Sequence, residues 1–501
     1  MTATAAAPSE SVRFIDLTSC YFLRPADRGK TSLPSPPGRS RLPVGAACIL
    51  LSHMDTLHAF ERALNGYVWG GPMIVLLMGT GLLLTVLTGV IQFRRLGFAL
   101  REVLGKVFSR GEGSGSVTPF QAVATALAST VGVGNIAGVA TAIFIGGPGA
   151  LFWLWISGLL GMCTKYAEIV VAMHYREVDE AGTMRGGAMY TLKKGLGLPW
   201  LGGIFALLTA VAAFGIGNMV QANSVAESLN ATFGIAPALT GITLVVITAV
   251  VILGGITRIG EVTSVLVPFM ALLYLGGGAV VLATHAGHIP AALGLVFDGA
   301  FTGTAATGGF AGSTVMMALR YGIARGLFSN EAGLGSAPMV HAAAQTDHPV
   351  RQGMYGIFEV FVDTILICTM TGLVILVTET WTTGVTGAAL SARAFETGLP
   401  GTWGDIVVTG GILLFSFSTL IGWSYYGETG IVYLLGARAA MPYRLLWLVF
   451  IYLGATGSLH VIWDIADTLN GLMAIPNLIA LLVSIPLLLR LQKEFFTRGR
   501  V

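Results

Sequence analysis

Between Ala126 and Ile143 the chain reads ALASTVGVGNIAGVATAI. Gly132 and Gly134 remove side chains from an otherwise apolar stretch and permit non-helical backbone. Thr130 and Asn135 add polar groups beside them. In hydrocarbon, unwound backbone is tolerated only where it lines a cavity or binds something. Freed carbonyls can hold a cation, and freed N–H groups at a half-helix start can hold a carboxylate. A second reading stays open: Gly134 and Gly138 make a GxxxG step that would serve helix packing alone.

Three further segments carry candidate chemistry. GLFSNEAGLGSAPMV, from Gly326, sets Phe328, Ser329, Asn330 and Glu331 beside Gly333 and Gly335. A carboxylate at membrane depth is a functional candidate by default; alternatively Glu331 sits at a helix end and pairs with Arg325 or Arg320. LLFSFSTLIGWSYYGE, from Leu413, places Ser416, Ser418 and Thr419 in an apolar helix. Such hydroxyls suit a hard cation, although membrane-helix Ser and Thr commonly bond back to their own helix. Trp423, Tyr425 and Tyr426 read as an interfacial belt. GIGNMVQANSVAE, from Gly215, brings Asn218, Gln221 and Asn223 close together, for a pocket or for bonds between helices. Lys165 and Glu168, three apart, read as a structural pair. Asp363, Asp464 and Asp467 are expected near span ends or bundle contacts. The eight histidines and four cysteines show no ligand spacing. No catalytic cluster lies in the apolar segments, so no enzyme is expected, and no cofactor.

These residues need a membrane to give them meaning, and composition supplies it. Of 501 residues 54% are apolar and 11% charged, against about 25% charged in soluble domains. The formal net charge of +3 gives no support for a nucleic-acid partner. A spanning helix needs about 20 apolar residues. Eleven segments qualify: 67–92, 119–145, 149–175, 200–230, 238–254, 262–284, 320–341, 352–378, 403–435, 445–462 and 467–489. The expected fold class is therefore an all-α integral membrane protein.

Lys and Arg gather on alternate loops, as at Arg94, Arg95, Arg101, Lys106 and Arg110, at Arg176, Arg185, Lys193 and Lys194, and at Arg490, Lys493, Arg498 and Arg500. The opposite loops carry only Arg320, Arg325 and Arg393. This asymmetry puts the N-terminus outside and the C-terminus inside. With the first span set aside, ten remain as two sets of five, which must run in opposite senses. The two Gly-interrupted segments then open the two halves, which is where a site between inverted repeats is sought. The expected divisions are a tail at 1–53, an extra helix and inner loop at 54–118, a first repeat at 119–284, an outer loop at 285–319 with short helices or a re-entrant piece, a second repeat at 320–490 and a tail at 491–501. The Ser-, Pro- and Arg-containing stretch before Met54 reads either as a disordered extension or as sequence ahead of the true start.

GGPGALFWLWISGLLG at 146–161, with GVGNIAGVATAI and GLFSNEAGLGSAP, resembles the distinctive stretches of the alanine or glycine:cation symporter family. The resemblance runs from about Met54 to the C-terminus. It implies a leucine-transporter-type fold of two inverted five-helix repeats, set in a plasma membrane. It implies Na⁺-driven uptake of a small neutral amino acid such as alanine or glycine by alternating access, with Na⁺ as the coupling ion and no obligate protein partner. Proton coupling through Glu331, or a passive channel, are the rivals. Carried onto this chain, the family's fold implies sodium held by the carbonyls of Ala128, Val131 and Phe415 and the hydroxyls of Ser418 and Thr419. The substrate carboxylate would meet the N–H groups of Gly132, Val133 and Gly134. The ammonium would meet carbonyls at Val131 and Phe328–Ser329, with Thr130, Asn135, Asn218, Gln221, Asn330, Glu331 and Gly333 around it. Asn135 is the candidate for a second sodium.

Overall fold

A computed structural model describes residues 64–107, 109, 111–305, 307–457 and 460–497. The tail at 1–53 lies outside these residues, as does the Asp464 side chain. The described chain is almost wholly helical. Eight helices are long and apolar enough to cross a membrane: Leu64–Leu87, Ala150–Tyr175, Pro199–Phe233, Gly255–Thr284, Pro349–Val377, Trp403–Leu435, Ala437–Thr456 and Ile465–Val483. A ninth crossing is the pair Pro119–Thr130 and Gly134–Gly146, bent by 51° at its break. Each of the eleven expected segments overlaps a helix among the described residues. Two do not cross by length and composition alone: Pro237–Ile252, and the pair Val315–Asn330 and Pro338–His341. In the latter, the break from Glu331 to Ala337 shortens both pieces.

Local chemistry accounts for where the two broken spans begin and stop. Thr118 opens the first with a reciprocal cap: its hydroxyl accepts from Gln121 N at 3.1 Å, and the Gln121 side chain accepts from Thr118 N at 3.0 Å. Pro119 follows at the first helical position, where no N–H is needed. The helix stops at Val131, whose backbone is extended at φ −78° and ψ 91°. The other span stops at Glu331, a non-glycine residue with φ 55°, which ends a helix as a left-handed cap does. At their inner ends the two broken spans join through a short parallel bridge between Val117 and Ala344. Arg176 clamps the same place, donating to the carbonyls of Ser114, Ala342 and Ala344.

The outer loop expected at 285–319 carries the helix Ile289–Thr302. A helix not expected, Gly387–Gly398, lies between the crossings Pro349–Val377 and Trp403–Leu435. Its amphipathic sequence is too short and polar to register as a span.

Beneath the breaks lies a group of buried charges. Lys165 pairs with Glu359 at 3.2 Å, and both are fully buried. His341 Nε2 sits 3.0 Å from the other Glu359 oxygen. Glu168 Oε1 accepts from Gly333 N, Gly335 N and the Asn477 side chain. This corrects the expected Lys165–Glu168 pair: Lys165 turns to the span Pro349–Val377, while Glu168 caps the second break. Removing one member of a buried pair leaves an uncompensated charge, which costs about 3–5 kcal/mol. Lys165→Met should therefore lower the thermal unfolding midpoint of the detergent-purified protein strongly, and Lys165→Met with Glu359→Gln should recover much of the loss. A single variant that melts like the native chain would remove this pair from the account.

Candidate functional site

Ala128, on the last turn of the helix before the first break, meets the span Trp403–Leu435. Ser418 Oγ donates to Ala128 O at 3.0 Å and to Phe415 O at 2.8 Å. Thr419 Oγ1 donates to the same two carbonyls at 3.1 and 2.9 Å. Two carbonyls and two hydroxyls from different spans thus converge on one point, all buried. A Cβ at Gly132 would fall 2.8 Å from Thr419 Oγ1, so only glycine lets the unwound backbone approach these oxygens. Oxygen donors of this kind can replace part of the hydration shell of a small hard cation.

A second polar centre lies on the other side of the break. Asn135 Oδ1 accepts from Gly132 N at 3.0 Å, and its amide donates to Asp363 Oδ1 at 2.7 Å. Ser329 Oγ lies 3.1 and 3.0 Å from the two Asp363 oxygens, and Thr364 Oγ1 donates to Oδ2 at 2.8 Å. Asn330 donates to Thr364 at 3.2 Å. Asp363 is fully buried, and among the described residues no cationic side chain pairs with it. A lone acid at membrane depth costs about 2.5–3.5 kcal/mol; its neighbours here are neutral donors. Of the two expectations for Asp363, a span end or a bundle contact, the structure shows the bundle contact. Asp363 stands on a π-helical stretch, Phe361–Cys368, where an extra residue per turn re-aims side chains and which is often found at functional positions.

Phe328 closes the outer side. A Cβ at Gly134 would lie 3.3 Å from its ring. Gln221 Oε1 comes within 3.5 Å of the Gly132 Cβ position and has no hydrogen-bond partner among the described residues. Thr130, Val131 and Val133 lie at the break, but the Thr130 hydroxyl bonds back to Ala126 O at 3.1 Å.

Other expected residues sit elsewhere. Asn218 donates to Trp447 O at 2.8 Å, a bond between spans. Gly333 lies with φ 94° against Leu77 and donates to Glu168. Glu331 is turned inward: its oxygens accept from Ser336 Oγ at 2.5 Å and from Trp423 Nε1 at 3.0 Å. It pairs with neither Arg325 nor Arg320, which corrects that reading. Trp423, Tyr425 and Tyr426 are buried to within 1%, so they form no interfacial belt. An apolar aromatic run looks the same in sequence whether it faces headgroups or a neighbouring span.

Exposure along the first broken span is uneven. Every residue from Ala122 to Val133 is buried, whereas Gly134, Ala137, Gly138 and Thr141 after the break are half-exposed. Val133 and Ala137 also line a cavity of about 1100 Å³, walled by Ser224, Glu227, Arg393, Asp405 and Thr409. The helix Gly387–Gly398 lines it through Ala388, Ala392, Arg393 and Glu396.

Comparison with known proteins follows this geometry. The sodium:alanine symporter family profile matches residues 54–500. The sodium/alanine symporter AgcS of Methanococcus maripaludis is 49% identical over 430 residues, covering 84% of this chain and 93% of that protein. The probable sodium/glutamine symporter GlnT of Bacillus subtilis is 37% identical, covering 83% and 86%. The solved structure of MhsT in complex with L-phenylalanine is 12% identical, with a TM-score of 0.51, and covers 76% of this chain and 98% of that one; it shares the fold, the leucine-transporter type. The chain is a multi-pass membrane transporter and not an enzyme, and it belongs to the sodium:alanine symporter family.

Proposed function

We propose that this chain takes up alanine, glycine or a similarly small neutral amino acid together with Na⁺, by alternating access across a plasma membrane. The observation that carries the reading is the first break, which lies between an all-oxygen point and a buried, cation-free carboxylate. Sodium is assigned to Ala128 O, Val131 O, Phe415 O, Ser418 Oγ and Thr419 Oγ1. The hydroxyls now donate to the carbonyls and would turn their lone pairs to the ion. The amino-acid carboxylate is assigned to the N–H groups at Gly132, Val133 and Gly134, a half-helix start. Asp363, with Asn135 and Ser329, supplies the countercharge for the positive end of the cargo, whether ammonium or a second sodium. Gln221 Oε1 offers a further acceptor. Phe328 over Gly134 limits the side chain to a small one.

The half-exposed outer half-helix and the cavity beside it support an outward-facing state. Eleven crossings, with the N-terminus outside and the C-terminus in the cytoplasm, are supported by the basic residues that gather at one end. There Arg351 and Lys106 share Glu102, and Arg185 and Arg444 share Glu428. Coupling requires that both ligands favour the same state. The membrane potential adds about 2.3 kcal/mol per charge per 100 mV.

Labelled alanine should accumulate in proteoliposomes under an inward sodium gradient and not when choline replaces sodium. Accumulation driven by a pH gradient alone would move the coupling to protons, and uptake without accumulation would favour a channel. Ser418→Ala with Thr419→Ala should raise the sodium concentration for half-maximal uptake by about tenfold or more, since each lost ligand to a charge is worth about 1.5–3 kcal/mol. An unchanged sodium dependence would displace the cation from this point. Gly134→Leu should abolish uptake while the purified protein keeps its native elution profile, and normal uptake by that variant would refute the placing of the substrate.

A further inference from the structure

We propose that Arg325 recognises the α-carboxylate of the incoming amino acid at the outer edge of the site, one helical turn before the cargo reaches the break. The inference rests on the reading of the site as one for amino acids.

Arg325 lies within the second broken span, on the helix Val315–Asn330. An arginine at membrane depth is normally paired or faces a water-filled cavity. Arg325 is half-buried, and among the described residues it has no carboxylate partner. Its guanidinium stands 5.7 Å from the centroid of the Phe328 ring. Phe328 in turn covers Gly134, and the Arg325 stem reaches Gly138, whose Cβ position is 3.9 Å from Arg325 Cδ. Gly138 and Arg325 are each one turn outward of Gly134 and Phe328. The two half-helices thus run side by side, with the Phe328 ring against Gly134 and the Arg325 guanidinium against that ring.

The cavity and Arg325 lie on neighbouring faces of one half-helix. Val133 and Ala137 line the outer cavity. Gly134 and Gly138, the next residues around the same helix, turn toward Phe328 and Arg325, and all four are half-exposed. The cavity wall carries Glu227, Glu396 and Asp405 against one cation, Arg393. These acids repel a carboxylate from the wall, and Arg325, on the neighbouring face of the half-helix, is a cation with no acid beside it among the described residues. The planar guanidinium fork matches a carboxylate with two parallel bonds, which a lysine ammonium does not reproduce.

The test is alanine uptake by proteoliposomes, with alaninamide as an inhibitor that lacks the carboxylate. Arg325→Gln should raise KM for alanine by about ten- to a hundredfold, the worth of a charged hydrogen-bonded contact. The preference for alanine over alaninamide should fall by a similar factor, and half-saturation by sodium should stay near native. Arg325→Lys should lie between the two, and it decides the matter if Arg325→Gln does not fold. Arg320→Gln, which removes an exposed charge from the same helix, should leave KM near native. A native KM in the Arg325 variants, a retained preference over alaninamide, or a sodium half-saturation that moves by the same factor as KM would each overturn the inference. Failure of the native protein to take up alanine would instead overturn the amino-acid reading itself.

Discussion

Inside a bilayer every backbone N–H and C=O must find a partner in the protein or in a water-lined cavity. This chain breaks two of its spans there, and much of the surrounding structure answers those breaks. Gly132 N is taken up by Asn135 Oδ1. The Asn135 carbonyl accepts from Thr371, and the Ile136 carbonyl accepts from Ser391. At the second break, Gly333 N and Gly335 N are taken up by Glu168. Apart from Asn135, which lies on the same broken span, the partners come from other spans or, for Ser391, from the short helix Gly387–Gly398, so the unwound backbone is also what ties the bundle together. Asp363 is the junction, since its carboxylate accepts from one broken span through Asn135 and from the other through Ser329.

The two sides of the breaks are built differently. Inward, Lys165, Glu168, Glu331, Glu359 and His341 are all buried and joined to partners. Buried ionic groups of this kind resist gradual deformation because losing any one partner exposes a charge to low dielectric. Outward, the contacts are looser, with half-exposed glycines, a ring over one of them and a large cavity. Trp423 crosses between these regimes. It belongs to the span that bears Ser418 and Thr419, and it donates to Glu331 on the second broken span. A shift of that span relative to the broken pair would disturb the Ser418 and Thr419 bonds to Ala128 O and the Trp423–Glu331 bond together.

Much of the architecture was legible before any coordinates. About 20 apolar residues must cross a bilayer, so each of the eleven segments overlaps a helix among the described residues. Gly-rich interruptions stand out against apolar flanks, so Gly132–Gly134 and the region after Asn330 were recognisable as breaks. Ser418 and Thr419 were legible as candidates for the same reason: polar atoms are few in such a helix. Asp363 was visible as an acid in an apolar run, but not as a partner of Asn135, which lies 228 residues away in the chain. The helix Gly387–Gly398 was missed because its length and polarity fit an outer loop as well as a wall.

Composition, span length and the positions of glycine thus determined by themselves that this protein lives in a membrane and where its helices break. These are local or one-dimensional constraints, set by the thickness of hydrocarbon and the need to satisfy backbone groups within it. Which polar groups face one another was decided only by the tertiary structure. Nothing in the run of residues distinguishes Asn135, which meets Asp363, from Asn218, which meets the Trp447 carbonyl. The same holds for Glu331, which turns to Trp423, and for Arg325, which has no acid partner among the described residues. The direction of a side chain across a bundle depends on the rotation and tilt of its helix against its neighbours, and those follow from packing over the whole fold.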